Sequence, residues 1–370
     1  MFTQRRRLAN VISSLLLAIV VVGCCKAIAS AQVSSPSPEA VIPLEGLDPV
    51  MLSQGKEAQG DMKYKVTRGR FQYIFASAEN KATFEKDPSR YEIQLDGSCA
   101  RMGTAGGNPD LYLVHNGRIY IFGSEECQTL FKAAPEKYLE VPAAPKSPPT
   151  ADMVKRGNEL IAKAVEATGG SKLDQLVSFQ KKDSRGNDVK NSLLLGFPDA
   201  VRQETVRPTF TLVSVVSPSE SFFIVNNSVR SMAEANRTAI YKELYHDPIV
   251  LLRARTQPDF KAWLAGDGTK EEPLALVEVE LQGFTTTLGI DPGTGRVLSQ
   301  TYKGRGQGGV LGQIAINYSD FRTVDGLSLP FKATATFDGQ PFPALSATVE
   351  AITINSQIDP SSFKKPQPAQ

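Results

Sequence analysis

What this 370-residue sequence has little of excludes the most. Its two histidines, His115 and His246, cannot furnish a His-rich zinc site or a multi-His iron site within one chain. Its four cysteines, two of them near the N-terminus, are too few for a disulfide-stapled scaffold. The net charge is only +2, and no run of one sign extends beyond Arg5, Arg6 and Arg7, so nothing marks a nucleic-acid footprint. Catalytic motifs are missing as well. There is no G-x-S-x-G, H-E-x-x-H or Walker sequence. The pair His246-Asp247 reads as a residue followed by a helix cap, and Asp320 and Asp325 read as turn carboxylates with nothing pairing them as acid and base. Gly304, Gly306, Gly308 and Gly309 lie between two strand patterns and not before a helix, so they read as a flexible hairpin loop, not a phosphate cradle. The expectation is a non-enzyme with no cofactor.

What remains is an ordinary globular composition, 41% hydrophobic and 22% charged, with a length that suits two domains plus extras. Residues 1–31 read as a secretory signal: Arg5, Arg6 and Arg7 precede an apolar run at 15–22, about half of what a spanning helix needs. Two cuts are open. Ala29-Ser30-Ala31 suits cleavage before Gln32, whereas Val21-Val22-Gly23-Cys24 resembles a bacterial lipobox that would lipidate Cys24. Either cut implies a periplasmic or outer-membrane-anchored protein, touching the membrane only through a lipid anchor. Removing the four positive charges of residues 1–31 from a net +2 leaves about −2, again no binder of polyanions. Pro-rich linkers at 32–43 and 142–150 then bracket a module at 44–141 and leave a second domain at 151–370.

The first module repeats itself. Residues 73–91 and 120–138 align at a constant offset of 47 with eight of 19 positions identical, among them Phe75/Phe122, Ser77/Ser124, Phe84/Phe131 and Pro88/Pro135. Each copy reads as a strand, a Ser-capped short helix whose Phe faces that strand, and a Pro stop. These phrases, with Asp48-Pro49-Val50 before them and Gly97-Ser98-Cys99-Ala100 between, resemble the YHS domain. That family is linked to copper through cysteines of its motifs. Here Met51, Ala76, Asn80 and Gly123 stand where those thiols would be and only Cys127 remains, so no metal site is expected. Cys99 and Cys127 read as two separate buried thiols, with a disulfide between them and then metal or redox work as the alternatives. His115 reads as a turn residue.

The second domain opens with a helix capped near Asp152 and ended by Gly169-Gly170. About nine strand patterns follow, at 193–197, 209–216, 222–225, 276–281, 285–290, 296–302, 313–318, 329–337 and 346–354. Between them lies a helical interval with a helix over 229–245, another opened by Asp247-Pro248, and the segment 260–264. The fold class is therefore α+β: a small repeated module followed by a large curved antiparallel sheet, a half-open barrel covered by helices. The phrases at 164–170, 290–302, 317–330 and 352–366 resemble the outer-membrane lipoprotein-sorting proteins, relatives of the periplasmic lipoprotein carrier. That resemblance implies an unclosed barrel shielding acyl chains.

Strand alternation puts Val213, Val215, Val279, Leu281, Ile316 and Tyr318 on apolar faces, and Phe223, Val225, Leu288 and Ile290 on faces expected to join the same concave side. Ile249 to Leu252 and Trp263 are the expected lid. The functional expectation is a cell-envelope protein that binds lipid or lipoprotein acyl chains there, with the first module docking an envelope partner. Copper handling by that module and a solid domain pair without ligand are the alternatives.

Overall fold

The computed structural model describes residues 40–103, 106–140, 147–186, 188–270 and 272–366. The calls on the signal, the linker at 32–39 and Cys24 lie outside the described residues. In the first module a turn at Leu44–Gly46 leads to α1 (Pro49–Ser53), the hairpin of β1 (Asp61–Arg68) and β2 (Phe71–Phe75), and then α2 (Ala78–Lys86) and α3 (Pro88–Tyr91). The second copy runs through a turn at Leu95–Gly97, the hairpin of β3 (Asn108–His115) and β4 (Arg118–Phe122), and α4 (Glu125–Ala133). The Ser caps act as their sequence requires: the Ser77 hydroxyl accepts from the Asn80 amide at 3.2 Å and the Ser124 hydroxyl from the Cys127 amide at 3.3 Å. Phe84 meets Phe75 edge-on at 5.1 Å and Phe131 meets Phe122 the same way at 5.1 Å.

The repeat reaches further upstream than its sequence identities do. Leu44, Glu45 and Gly46 have φ of 63°, 54° and 77°, and Leu95, Asp96 and Gly97 have 56°, 50° and 76°. This doubled left-handed turn places Asp48 and Cys99 at equivalent sites, facing Asn80 and Cys127 respectively. In the first copy the fully buried Asp48 carboxylate accepts from the amides of Val50 at 2.8 Å, Met51 at 3.3 Å and Ala76 at 2.8 Å, and from Asn80 Nδ2 at 2.7 Å. In the second copy a thiol pair fills that node. Cys99 and Cys127 are buried free thiols, and Arg101 Nη1 lies 3.6 Å from the Cys127 sulfur.

In the larger part, α5 (Ala151–Thr168) is capped by Thr150, two residues before the expected Asp152. The strands β5 (Ser178–Arg185), β6 (Val189–Gly196), β7 (Ala200–Arg207), β8 (Phe210–Val216), β9 (Ser221–Val225) and β10 (Ser228–Ser231) form one antiparallel meander. Helices α6 (Glu234–Leu244) and α7 (Pro248–Arg253) follow. A second meander comprises β11 (Lys261–Gly266), β12 (Ala275–Leu281), β13 (Phe284–Ile290), β14 (Val297–Arg305), β15 (Leu311–Val324) and β16 (Leu327–Phe337). The short β17 (Gln340–Pro341) pairs with β16, and β18 (Ala347–Ile354) joins the meanders by lying between β16 and β5. Among the described residues the sheet has 14 strands and is open, with β10 and β11 as its unpaired edges. Helices α6 and α7 are the chain between those two edges.

The expected nine strands fall short because β5 and β7 carry charged and polar residues on their inward face and give no apolar alternation. The segment 260–264, expected within the helical interval, is largely edge strand β11, and the expected helix at 229–245 opens as β10. The glycine-rich stretch is the hairpin connection expected between two strands, here β14 and β15, but it is packed and not free. A Cβ on Gly309 would collide with the Arg101 carbonyl oxygen, and Arg305 Nη1 donates to the Gly309 carbonyl at 2.8 Å. Arg305 Nη2 reaches the Tyr138 carbonyl at 3.2 Å, and Val310 packs on the core of the second repeat copy. The β14–β15 connection thus clasps the first module, and residues 40–370 cluster as one compact unit.

Candidate functional site

Cross-strand partners in an antiparallel sheet share a face, so the register assigns every inward side chain. On one side Lys181 pairs with Leu193 and Leu193 with Gln203, while Asp183 pairs with Asn191. On the other, Leu288 pairs with Gln300, Gln300 with Ile316, and Ile316 with Ala335. This face is solid over one part and hollow over another. Val277, Val279, Leu281, Leu288 and Ile290 are each fully buried in one cluster with Ile161, Ala164 and Val165 of α5 and Val250, Leu251 and Leu252 of α7.

Beside that core lies a cavity of two chambers. The narrow one, about 100 Å³, is largely apolar, with Phe179, Ile249, Leu252, Phe321, Leu329 and Ile352 in its wall. The wide one, about 350 Å³, lies beneath Ile240, Glu243 and Leu244 of α6 and carries Asp183, Arg185, Asn191, Gln203, Gln300 and Tyr302. Lys181, Asp247, Tyr318, Ala333 and Ala347 belong to both, so the chambers adjoin along these residues. The uniformly apolar interior expected from strand alternation is therefore half polar.

The expected site residues separate accordingly. Ile316 lines the wide chamber and Tyr318 both chambers. Val279, Leu281, Leu288 and Ile290 share their face but belong to the solid core. Phe223 and Val225 face inward by register, opposite Ser214 and Leu212, yet line neither chamber. Val213 and Val215 face outward and pack with Phe222 and Phe363 in a cluster on the far side of the sheet. Trp263 pairs with Glu278, also outward, so it is no part of a lid. In α7, Pro248, Ile249 and Leu252 border the narrow chamber. Sequence reasoning passes over Lys181, Asp183 and Arg185. Their spacing of two was the available signal, hidden because charges seldom mark a buried face.

The polar wall is internally bonded. Asp183, 2% exposed, accepts from Arg185 Nε at 2.9 Å and Asn191 Nδ2 at 3.3 Å. Tyr302 Oη donates to Glu243 Oε2 at 3.2 Å, and burial pushes the Glu243 carboxyl above its usual range. Burial also raises the Tyr302 and Tyr318 hydroxyls, so both remain protonated donors. Behind Tyr302, and stacked on it at 3.9 Å, His246 contacts Thr286 Oγ1 through Nδ1 at 2.6 Å. In the first module, burial raises the Cys127 thiol, but the Ser124 hydroxyl, Arg101 and Cys99 together hold it below the ordinary thiol value. His115, in contrast, sits at the β3–β4 turn beside Asn116 Nδ2 at 3.1 Å. Among the described residues, no group of three or more His, Cys, Asp and Glu is gathered to hold a metal, and no helix is long and apolar enough to cross a membrane.

Burial of His246 makes a testable statement about stability. Burial, then the nearby Lys242 charge, brings its pKa down from 6.5 to about 4. The unfolded chain therefore takes up a proton that the folded chain refuses, and stability falls as pH drops from about 6.5 towards 4. The loss is about 3 kcal/mol. Urea midpoints of the wild type and His246→Asn across this range isolate the histidine, and the variant should show the shallower acid slope. Parallel slopes would contradict the assignment.

No family model and no curated protein matches the sequence, so the YHS resemblance of the first module rests on its own motifs. Among solved structures, one similar chain is a LolA superfamily protein from Nitrosomonas europaea, 13% identical, with a TM-score of 0.32 over 56% of this chain and 97% of that one.

Proposed function

We propose that this is a non-enzymatic bacterial cell-envelope protein that holds an acyl-chain ligand, a lipid or the acyl chains of a lipoprotein, in the cavity of the open sheet. The YHS-like module serves as the scaffold and docking unit for an envelope partner. The observation that carries the reading is the pair of adjoining chambers under α6 and α7, together in a size range typical of small-ligand sites. An apolar hollow bordered by Phe179, Ile249 and Leu252 would shield methylenes at about 0.8 kcal/mol each. The β14–β15 clasp supports the scaffold role, because it fixes the first module against the sheet through Arg305.

The test is titration with a fluorescent fatty-acyl probe. Wild type should bind it, and Ile316→Asp should reduce binding by about tenfold or more while the protein stays folded, because a carboxylate at a hollow wall can reach water. A wild type that never binds the probe, beside an Ile316→Asp variant that unfolds, would identify a packed core and end the carrier reading.

A further inference from the structure

Resting on that reading, we propose that the ligand is an amphiphile with an anionic head, and that Lys181 receives the head at the junction of the two chambers. The argument is one of charges already committed. Among the titratable groups that line the cavity, the Asp183 carboxylate holds Arg185 at 2.9 Å. Arg185 also donates to the Ala344 carbonyl at 3.1 Å. Arg305 is spent on backbone carbonyls of the clasp. Asp247 caps α7, accepting from the Ile249 amide at 2.9 Å. Glu243 accepts from Tyr302.

Among the described residues Lys181 has no such partner. It borders both chambers, it is half-buried on the inward face of β5, and among the described residues it has no ion pair or side-chain hydrogen bond. At the narrow chamber Arg296 and Lys332 add two further cations without ion pairs among the described residues, and Arg296 lies over the Phe321 ring at 5.2 Å. Over the two chambers five cations, Lys181, Arg185, Arg296, Arg305 and Lys332, therefore stand against three carboxyl groups, Asp183, Asp247 and Glu243, an excess of positive charge. A second observation points independently to a polar guest. Gln300 is 3% exposed, its side chain borders the wide chamber, and its Oε1 has no partner among the described residues. A buried acceptor left bare is unfavourable. An O–H or N–H near the ligand head would satisfy it. An acyl chain in the apolar chamber, an anionic group at Lys181 and a donor group towards Gln300 together describe one elongated amphiphile.

The experiment displaces a bound fluorescent acyl probe from the full mature chain with palmitate or with palmityl alcohol, which share a tail and differ in charge. Wild type should prefer palmitate by about tenfold to a hundredfold, the size of a charge-assisted hydrogen bond to a partly buried ammonium. Lys181→Met should reduce that ratio to within about twofold, and Lys181→Arg should keep it, with urea midpoints showing that both variants are folded. Palmityl phosphate in place of palmitate should also be preferred over the alcohol, because the recognition is of charge. Equal displacement by palmitate and alcohol in the wild type, or a ratio unmoved in folded Lys181→Met, would overturn the anionic-head assignment while leaving acyl binding intact. A wild type displaced by neither overturns the acyl-binding reading on which this rests.

Discussion

Asp48→Ala should destabilise the protein by about 3–5 kcal/mol, with the loss concentrated in the first repeat copy. The carboxylate is fully buried and accepts four hydrogen bonds, two at the start of α1 and two at the β2–α2 corner. It is therefore one node joining two elements that are adjacent in space and about 28 residues apart in sequence. Alanine leaves those donors facing an apolar core that includes Phe75, Phe84 and Val50. Each buried donor without an acceptor costs about 1–3 kcal/mol, with partial relief where water reaches it. Asp48→Asn keeps an acceptor oxygen but loses the charge and should fall between the two. Cys99→Ala at the equivalent node of the second copy should be milder, because a thiol is a weak donor and acceptor. Denaturant midpoints give the totals, and hydrogen exchange at the Ala76 amide localises the loss. An Asp48→Ala variant with the wild-type midpoint and a protected Ala76 amide would show that the node does not carry the fold.

The contrast between the two copies explains what was legible in the sequence. The strand, the Ser cap, the inward Phe and the Pro stop were readable because each is a local choice with a fixed spacing. The correspondence of Asp48 with Cys99 was not, because the offset there changes from 47 to 51 and the shared feature is a left-handed backbone turn, not a side chain. The cysteine pair reads differently once that is known. Its proximity is inherited from a node that a carboxylate and an amide occupy in the sister copy, so closeness alone never required a disulfide.

In the sheet, the apolar strands β12, β13, β15 and β16 were legible by alternation, and the polar ones were not. Strand β5 places Phe179, Lys181, Asp183 and Arg185 inward, a pattern that periodicity assigns to solvent. Alternation alone also could not tell the two faces apart. Val213 and Val215 are as apolar as Phe223 and Val225, but one pair faces Phe363 on the far side and the other faces the interior. Nor could alternation tell wall from core. That distinction belongs to the helices. Helix α5 brings Gly157, Ile161, Ala164 and Val165 fully into the interior, and at Gly157 a Cβ would collide with the backbone of Trp263, so this helix sits directly on β11. Helix α6 has no fully buried side chain among its described residues, and it spans its part of the sheet without filling the space beneath it.

Leu288→Asp should accordingly unfold the sheet, where Ile316→Asp does not. The two positions lie on one face, linked through Gln300 in the register, and the chemical change is the same. Leu288 is fully buried among Val277, Val279 and the side chains of α5 and α7, and it borders neither chamber. A carboxylate there has no water and no cation to meet. It must be buried charged, or take up a proton and still lack hydrogen-bond partners, at a cost of about 5 kcal/mol or more once the lost packing is added. That is comparable with the whole stability of an ordinary domain. Ile316 borders the wide chamber, so the same carboxylate can be hydrated in place. The expected result is a cooperative urea transition for Ile316→Asp and none for Leu288→Asp, followed by circular dichroism and by exchange of the β13 amides. A folded Leu288→Asp protein would mean that the interior opposite α5 is also hollow, and the ligand cavity would then extend across the whole concave face.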